Sequence, residues 1–474
     1  MEDVCGYEEK DPRVVTALKS GYPRFVVHAY IRELTAFYLQ RAELSGRTAF
    51  LIPGRRATQD LITSVEGRLQ AVEVDEALFL VHCDQADQEL SRRAAKFVQH
   101  TGVSISSRNA EDLLLHHGRR DVLYPEACYV GNAQSEAERL LAQQIGCRER
   151  DVLLCASGMS AFYAAFRAVQ ELQLSRGRKR WLQLGWLYLD SGCILKEFLG
   201  AEESLECCYN VFELDVVLEK IRSFGDDLAA VVVECPTNPL IQVCELRMIS
   251  EAVKAQGAVM IVDPTIASVY NVDVLPFADL LVTSLTKYAA TEGDVMIGAL
   301  ALNPQSLFYG DLVSRISAFH QPPYMRDLSR LVREMESAPQ LVAQMNVNAA
   351  KLAVFLRGHP AVKKVYYAGC ADHIEDVAKS ETATGAVITI ELIGSMEVFY
   401  DTVGLMKGPS FGAKFTLLCP FVYLAHYDLV TAESGRKFLA SVGIDPELIR
   451  ISVGAEPYET IEAVFGPALD ACID

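Results

Sequence analysis

The chain has 474 residues, half of them hydrophobic and only 22% charged. That is enough for a large buried core and, by length, roughly two to four domains rather than a disordered chain. A formal charge of −18 argues against a nucleic-acid partner or an anionic membrane surface, both of which select a basic face.

No apolar run reaches membrane length, since FTLLCPFVYLAHYDLV is interrupted by Pro420 and His426. The acidic N-terminus MEDVCGYEEKDPRVV lacks the apolar segment of a secretory signal. The thirteen cysteines are odd in number and contain no C-x-x-C pair, so reduced thiols in a cytoplasmic protein are expected, with no metal ligand set. The adjacent Cys207 and Cys208 read as small buried hydrophobes.

In chain order, residues 20–118 alternate between helix and strand patterns. RFVVHAYIRELTAFYLQRAEL, RRATQDLITSVEGRL and DQELSRRAAKFVQH have helical spacing, while TAFLIP and EALFLVHC read as strands. HHGRRDVLYPEACYVGNAQ has turn formers and no period, so it reads as a linker. A helix SEAERLLAQQIG stopped by Gly146, a strand DVLLCAS and a helix beginning at Gly158 follow. The strand patterns WLQLGWLYL, LAAVVVEC, AVMIVD, ADLLVTS and VMIGALAL then alternate with helices to about residue 302, which implies a mostly parallel sheet covered on both faces. One long helix from Met325 to Arg357 leads to the shorter strands VKKVYYAG, GAVITIEL and IRISVG. The expected architecture is α/β in three parts: an N-terminal α/β module over 1–118, a large domain over 119–330 and a smaller α+β domain over 331–474.

Lys287, in VTSLTKYAATEGDVMIGAL, stands just past a buried strand. Desolvation disfavours an ammonium there, which makes it a candidate nucleophile, although read alone it is also an ordinary cap. Asp263 ends the strand AVMIVD, where a carboxylate suits a cationic ring nitrogen or, equally, an N-cap. Ser157, Gly158 and Met159 form a turn into a helix whose free amides can hold a phosphate, and Ser284 and Thr286 flank Lys287 with hydroxyls. A phosphate cradle, an acid for a ring nitrogen and a lysine for an aldehyde describe a pyridoxal phosphate site.

The segments CASGMSAFYAAF, LYLDSGCILKEFL, VVVECPTNPLIQV, IVDPTIAS, VTSLTKYAATEGDVMIGAL and IRISVGAE resemble, in order, motifs of the cystathionine γ-synthase and lyase family of pyridoxal phosphate enzymes. The resemblance runs from about residue 121 to the C-terminus, and GYPRFVVHAYIREL is similar to the N-terminal extension of fungal-type cystathionine γ-synthases. It implies a fold-type I transferase in which Lys287 carries the cofactor and serves as base, and Asp263 faces the pyridine nitrogen. Gly158 and Met159 amides with Ser284 and Thr286 hydroxyls would hold the phosphate, while Tyr188 would stack on the ring. Asn238 would lie near the ring oxygen and the substrate carboxylate, Arg450 would clamp that carboxylate and Ser410 would sit beside it.

Two positions depart from the family pattern. Ala127 and Tyr129 stand where a tyrosine and an arginine reach across a dimer to the neighbour's phosphate, which leaves Arg119 or Arg120 as candidate substitutes. Pro409 stands where glutamate is common in γ-synthases and γ-lyases. The implied reaction is γ-replacement on an activated homoserine ester by cysteine to give cystathionine. A lyase acting on cystathionine or methionine is the alternative, and a regulatory or scaffold homologue with reduced chemistry is a second. The expected partners are small amino-acid substrates and further copies of the chain, as a homodimer or homotetramer.

Overall fold

The structure, a computed structural model, describes residues 1–18 and 25–473. Gly21 to Arg24 of the expected extension motif lie outside them.

The N-terminal region carries an antiparallel three-stranded sheet of β1 (Arg47–Pro53), β2 (Gln70–Asp75) and β3 (Leu78–Asp84), in the order β1-β3-β2. The first long helix begins at Ala29, later than expected, because the His28 imidazole accepts the Tyr30 amide and caps it. Helices Glu2–Glu8 and Pro12–Ala17, strand β2 and helix Ser107–His116 went unread in the sequence. β2 is mostly exposed and polar or small, with only Val72 and Val74 apolar, and helix Ser107–His116 is capped by Ser106 without a strong apolar stripe.

The central sheet has seven strands: β4 (Val152–Cys155), β5 (Arg180–Leu184), β6 (Ser204–Cys208), β7 (Leu228–Glu234), β8 (Val259–Asp263), β9 (Leu280–Ser284) and β10 (Gly298–Leu302). Their order is β4-β10-β9-β8-β7-β5-β6, with β10 antiparallel to both its neighbours and the others parallel. Every residue of β7 is buried, as expected of a strand covered by helices on both faces. The strand expected over WLQLGWLYL ends at Leu184. Gly185 turns the chain with φ +69°, and Tyr188 instead caps helix Leu189–Glu197.

The expected helix from Met325 to Arg357 is two, Met325–Met335 and Ala338–Gly358. Pro339 enters the second at its first turn, where a missing N–H costs nothing, and cannot continue the first. The C-terminal sheet contains β11 (Val362–Tyr367), β12 (Val387–Leu392), β13 (Met406–Lys407), β14 (Leu417–Pro420) and β15 (Ile449–Ser452), in the order β11-β12-β15-β14-β13. β15 lies at its centre, with Arg450 in register with Thr389 and Cys419. Among the described residues no helix is long and apolar enough to cross a membrane.

Candidate active site

The carboxyl ends of β4, β5, β7, β8 and β9 lead into the residues singled out from sequence, at the edge where open α/β sheets bind ligands.

The turn after β4 comes first. Ser157 closes a capping box with Ser160: its Oγ accepts the Ser160 amide at 3.0 Å, and Ser160 Oγ accepts the Ser157 amide at 2.9 Å. The Ser157 hydroxyl also donates to the Gly102 carbonyl at 3.3 Å, so this side chain is committed to holding the turn. The helix offers no internal partner to the amides of Gly158 and Met159, which are left for a ligand. A Cβ on Gly158 would lie 2.8 Å from Ser284 Cβ, so glycine is needed for β9 to come this close.

Beyond β9, the Lys287 amide donates to the Ser284 carbonyl at 3.2 Å and forms a tight turn. Tyr288 adopts φ +61°, a costly backbone for a bulky residue. It is held by its amide donating to the Gly412 carbonyl at 3.0 Å and its hydroxyl donating to the Ile266 carbonyl at 2.8 Å. This fixes the direction of Lys287, whose Nζ donates to Ser410 Oγ at 2.9 Å and lies 5.2 Å from the centre of the Phe411 ring. Thr286 Oγ1 is buried with no hydrogen-bond partner among the described residues.

Two carboxyl groups face each other at the ends of neighbouring strands, Glu234 on β7 in register with Asp263 on β8. Burial pushes Asp263 up to about 6, against the Thr265 hydroxyl and amide, which hydrogen-bond its carboxylate and pull the other way. Burial and then the Asp263 charge push Glu234 well above the carboxylate range. Glu234 is the more enclosed of the two and accepts the Tyr188 amide, whereas two donors of Thr265 serve Asp263, so Glu234 keeps the proton and Asp263 carries the charge. Thr265 Oγ1 also accepts the Ser284 amide at 3.0 Å, which ties Asp263 to the strand that leads into Lys287.

Arg450 reaches in from the C-terminal sheet. Its Nη1 donates to Asn238 Oδ1 at 3.2 Å, its Nη2 donates to the Pro409 carbonyl, and its guanidinium lies 5.1 Å from the centre of the Phe411 ring and 5.0 Å from that of Phe421. Lys287 and Arg450 thus grip adjacent residues of one loop, Ser410 and Pro409.

The suggested substitute clamp is otherwise engaged. Arg120 stacks 3.8 Å from the centre of the Tyr30 ring and pairs with Glu111 at 3.7 Å, while Arg119 is exposed. Tyr129 packs against Gly131, and its amide donates to the Ser329 carbonyl at 2.8 Å. The Ala127 carbonyl accepts Arg330 Nη1 at 3.1 Å.

A sequence profile described as Cys/Met metabolism PLP-dependent enzyme matches residues 130–470. The chain belongs to this family. Over 476 aligned positions, which take in 99% of this chain and 94% of the relative, it is 33% identical to an L-2-amino-4-chloropent-4-enoate dechlorinase/desaturase of Streptantibioticus cattleyicolor. It is also 33% identical to a cystathionine gamma-synthase of Neurospora crassa, over 68% of this chain and 52% of that one. A solved cystathionine gamma-synthase of Xanthomonas oryzae pv. oryzae, in complex with aminoacrylate and cysteine, superposes with a TM-score of 0.61 at 24% identity over 72% of this chain and 87% of that one. It shares the fold.

The protein is therefore a pyridoxal phosphate-dependent enzyme, and its residues fit that group. The orphaned Thr286 hydroxyl and the spare helix amides suit a phosphate, and the Asp263 carboxylate, hydrogen-bonded by neutral Thr265, suits a cationic ring nitrogen. Sequence reasoning missed Glu234, Thr265, Phe411 and Gly298. Glu234 ends the apolar strand LAAVVVEC as Asp263 ends AVMIVD, and that shared pattern was the available signal.

Proposed function

We propose that this enzyme acts on α-amino acids bearing a leaving group at the γ-carbon and replaces that group with the thiol of cysteine, giving cystathionine. One observation carries the reading: Lys287 Nζ stands 2.9 Å from Ser410 Oγ, on the loop whose Pro409 carbonyl Arg450 grips, so a base and a carboxylate clamp face one small space.

Arg450, buried and positively charged, has N–H donors beyond those on Asn238 and Pro409 for an α-carboxylate, a charge-assisted contact suited to a planar fork. Ser157, Gly158, Met159, Ser284 and Thr286 form the phosphate cradle, with Ser157 acting through its capping box. Asp263 would keep a proton on the ring nitrogen, and Tyr188, at the cap of its helix, would stack on the ring. When bound, pyridoxal phosphate supplies an aldehyde that takes up amines covalently and a ring that accepts an electron pair from the substrate α-carbon. Lys287 Nζ would take the α-proton, give it back to the bound cofactor–substrate pair so that its lone pair is restored, and then take a β-proton, so one amine would serve both deprotonations that precede loss of the γ-substituent. Ser410 Oγ, which accepts from that amine, holds it in place between these transfers.

Elimination with no incoming thiol is the second reading. It is favoured by the 33% identity to the dechlorinase/desaturase across 99% of this chain. Incubating the enzyme with succinyl-, acetyl- or phosphohomoserine, with and without cysteine, separates the two by product mass. Replacement predicts cystathionine that requires cysteine. Elimination predicts the same unsaturated or keto-acid product whether or not the thiol is present, and would displace the first reading.

A further inference from the structure

Helix Gln88–Thr101 of the N-terminal region lies along helix Leu189–Glu197, the helix that Tyr188 caps. Between them His100, itself only 4% exposed, has its Nδ1 2.8 Å from Asp190 Oδ1. Asp190 is wholly buried, and an ionised carboxylate can only accept, so Nδ1 carries the proton and Nε2 presents a bare lone pair. That Nε2 is buried and has no hydrogen-bond partner among the described residues. A buried acceptor with no donor is costly, and in native proteins it calls for an explanation.

What lies in front of it is a set of further ligands. Cys193 Sγ, a Glu197 carboxylate oxygen and a His100 ring nitrogen all fall within 4.8 Å of one another. Cys193 and Glu197 are four residues apart and so share a helix face, and Asp190 sits one turn earlier on it. His100 Nε2 is 3.9 Å from Glu197 Oε1. Zinc bonds of about 2.0 to 2.3 Å set tetrahedral ligands roughly 3.5 Å apart, so this pair is already near the needed spacing. A carboxylate holding the far side of a ligating imidazole is the arrangement that fixes its tautomer and raises its basicity.

We propose that His100, Cys193 and Glu197 bind a divalent ion of the zinc class, with Asp190 positioning His100. One nitrogen, one thiolate sulfur and one carboxylate oxygen suit a borderline-soft ion, and water fills the fourth position. Glu197, whose side chain is 44% exposed, forms the rim through which the ion enters. The ion pins the N-terminal region to the helix of Tyr188. His100 is two residues from Gly102, whose carbonyl accepts the Ser157 hydroxyl, so the same clamp also braces the turn at Gly158.

The test uses the full-length holoenzyme, freed of metal by a chelator and titrated with Zn²⁺ and, separately, Co²⁺. The proposal expects one ion per chain, a higher Tm with Zn²⁺, and a cobalt spectrum showing tetrahedral ligand-field bands together with a thiolate-to-metal band. Cys193→Ser should abolish the thiolate band and weaken binding at least tenfold, with its far-ultraviolet dichroism unchanged. Asp190→Asn should weaken binding by about 10- to 100-fold. The wild-type cobalt spectrum decides the matter even if the Asp190 variant fails to fold. Substoichiometric metal, cobalt without a thiolate band, or wild-type affinity in Cys193→Ser would each overturn the proposal and leave His100 Nε2 to a buried water.

Discussion

Arg450 is engaged on three sides, by Asn238, the Pro409 carbonyl and the two aromatic rings of Phe411 and Phe421. Replacing it with leucine removes a charge-assisted contact worth about 1.5 to 3 kcal/mol and should cut kcat/KM roughly ten- to a hundredfold, while cofactor absorbance persists. Steady-state kinetics beside a visible spectrum read both, and loss of cofactor instead would make Arg450 structural. Asp263 gives a pH prediction. Burial holds its pKa at about 6, so the carboxyl gains a proton as pH falls through that value, and only the ionised form answers a cationic ring. Cofactor affinity should therefore climb as pH rises through about 6 and level off above, and Asp263→Asn should flatten and lower the curve. Stability of the cofactor-free protein has the opposite sign. The unfolded carboxyl ionises near its ordinary value of about 3.9, so stability present below that pH is lost as pH rises towards the folded value. A cofactor-binding titration that is flat between pH 5 and 8 would contradict this role for Asp263. Lys287 and Asp263 were legible because each is a charge at the end of an apolar strand pattern, and Arg450 through the family resemblance of IRISVGAE. Ser410 came only through the family match, and Phe411 was missed, because both lie more than a hundred residues from Lys287 and only the packing of two sheets brings them together.

At the scale of elements, the cradle depends on three backbone segments meeting more closely than side chains allow. A Cβ on Gly298, the first residue of β10, would sit 2.3 Å from the Ser157 carbonyl and 2.5 Å from Gly158 N, both rigid backbone atoms. Gly298→Ala should cost about 1 to 3 kcal/mol of stability by overpacking, and should also speed cofactor release because the displaced atoms belong to the phosphate turn. A thermal melt and a dissociation time course check the two effects, and a variant with wild-type release would show that the turn tolerates movement. Arg120→Ala should leave release unchanged, since Arg120 is bound to Tyr30 and Glu111. The buried strands were readable as continuous apolar runs. The helix break at Ser337 was not, because helical spacing continues across it and the signal is Pro339 alone. Strand β2 was missed because four of its six residues are polar or small and only Val72 and Val74 are apolar, its pairing with β3 supplying what its own sequence does not.

Across the whole molecule, the N-terminal region is continuous with the cofactor-binding part. One hydrophobic cluster runs from Ile52, Leu61 and Phe97 through Phe162, Phe166 and Trp181 to Val232 and Ile261. Beside it Arg108 donates to Glu126 at 2.7 Å, to Asp327 at 3.2 Å and to the Asp294 carbonyl at 2.9 Å, which ties helix Ser107–His116 to the linker, to helix Met325–Met335 and to the loop after Lys287. Arg108→Ala strands buried carboxylates and should cost about 3 to 5 kcal/mol, seen as a lower denaturation midpoint. Removing residues 1–118 should yield an aggregating protein, since it bares the apolar face of helix Gly158–Ser175, and a soluble, cofactor-loaded truncation would refute the shared core. Alternating helix and strand patterns predicted an N-terminal α/β module but not its fusion to the rest, because contacts between distant segments leave no periodicity in either one.

The chemistry proposed for this site requires Lys287 to hold the cofactor. Reducing the holoenzyme with borohydride, digesting it and locating the pyridoxyl mass by sequencing the peptides tests that directly. The account predicts one adduct per chain, on Lys287 within VTSLTKYAATEGDVMIGAL, and none in Lys287→Ala, which should keep its fold and lose turnover. An adduct on another lysine, or a Lys287→Ala protein that still turns over substrate, would contradict it.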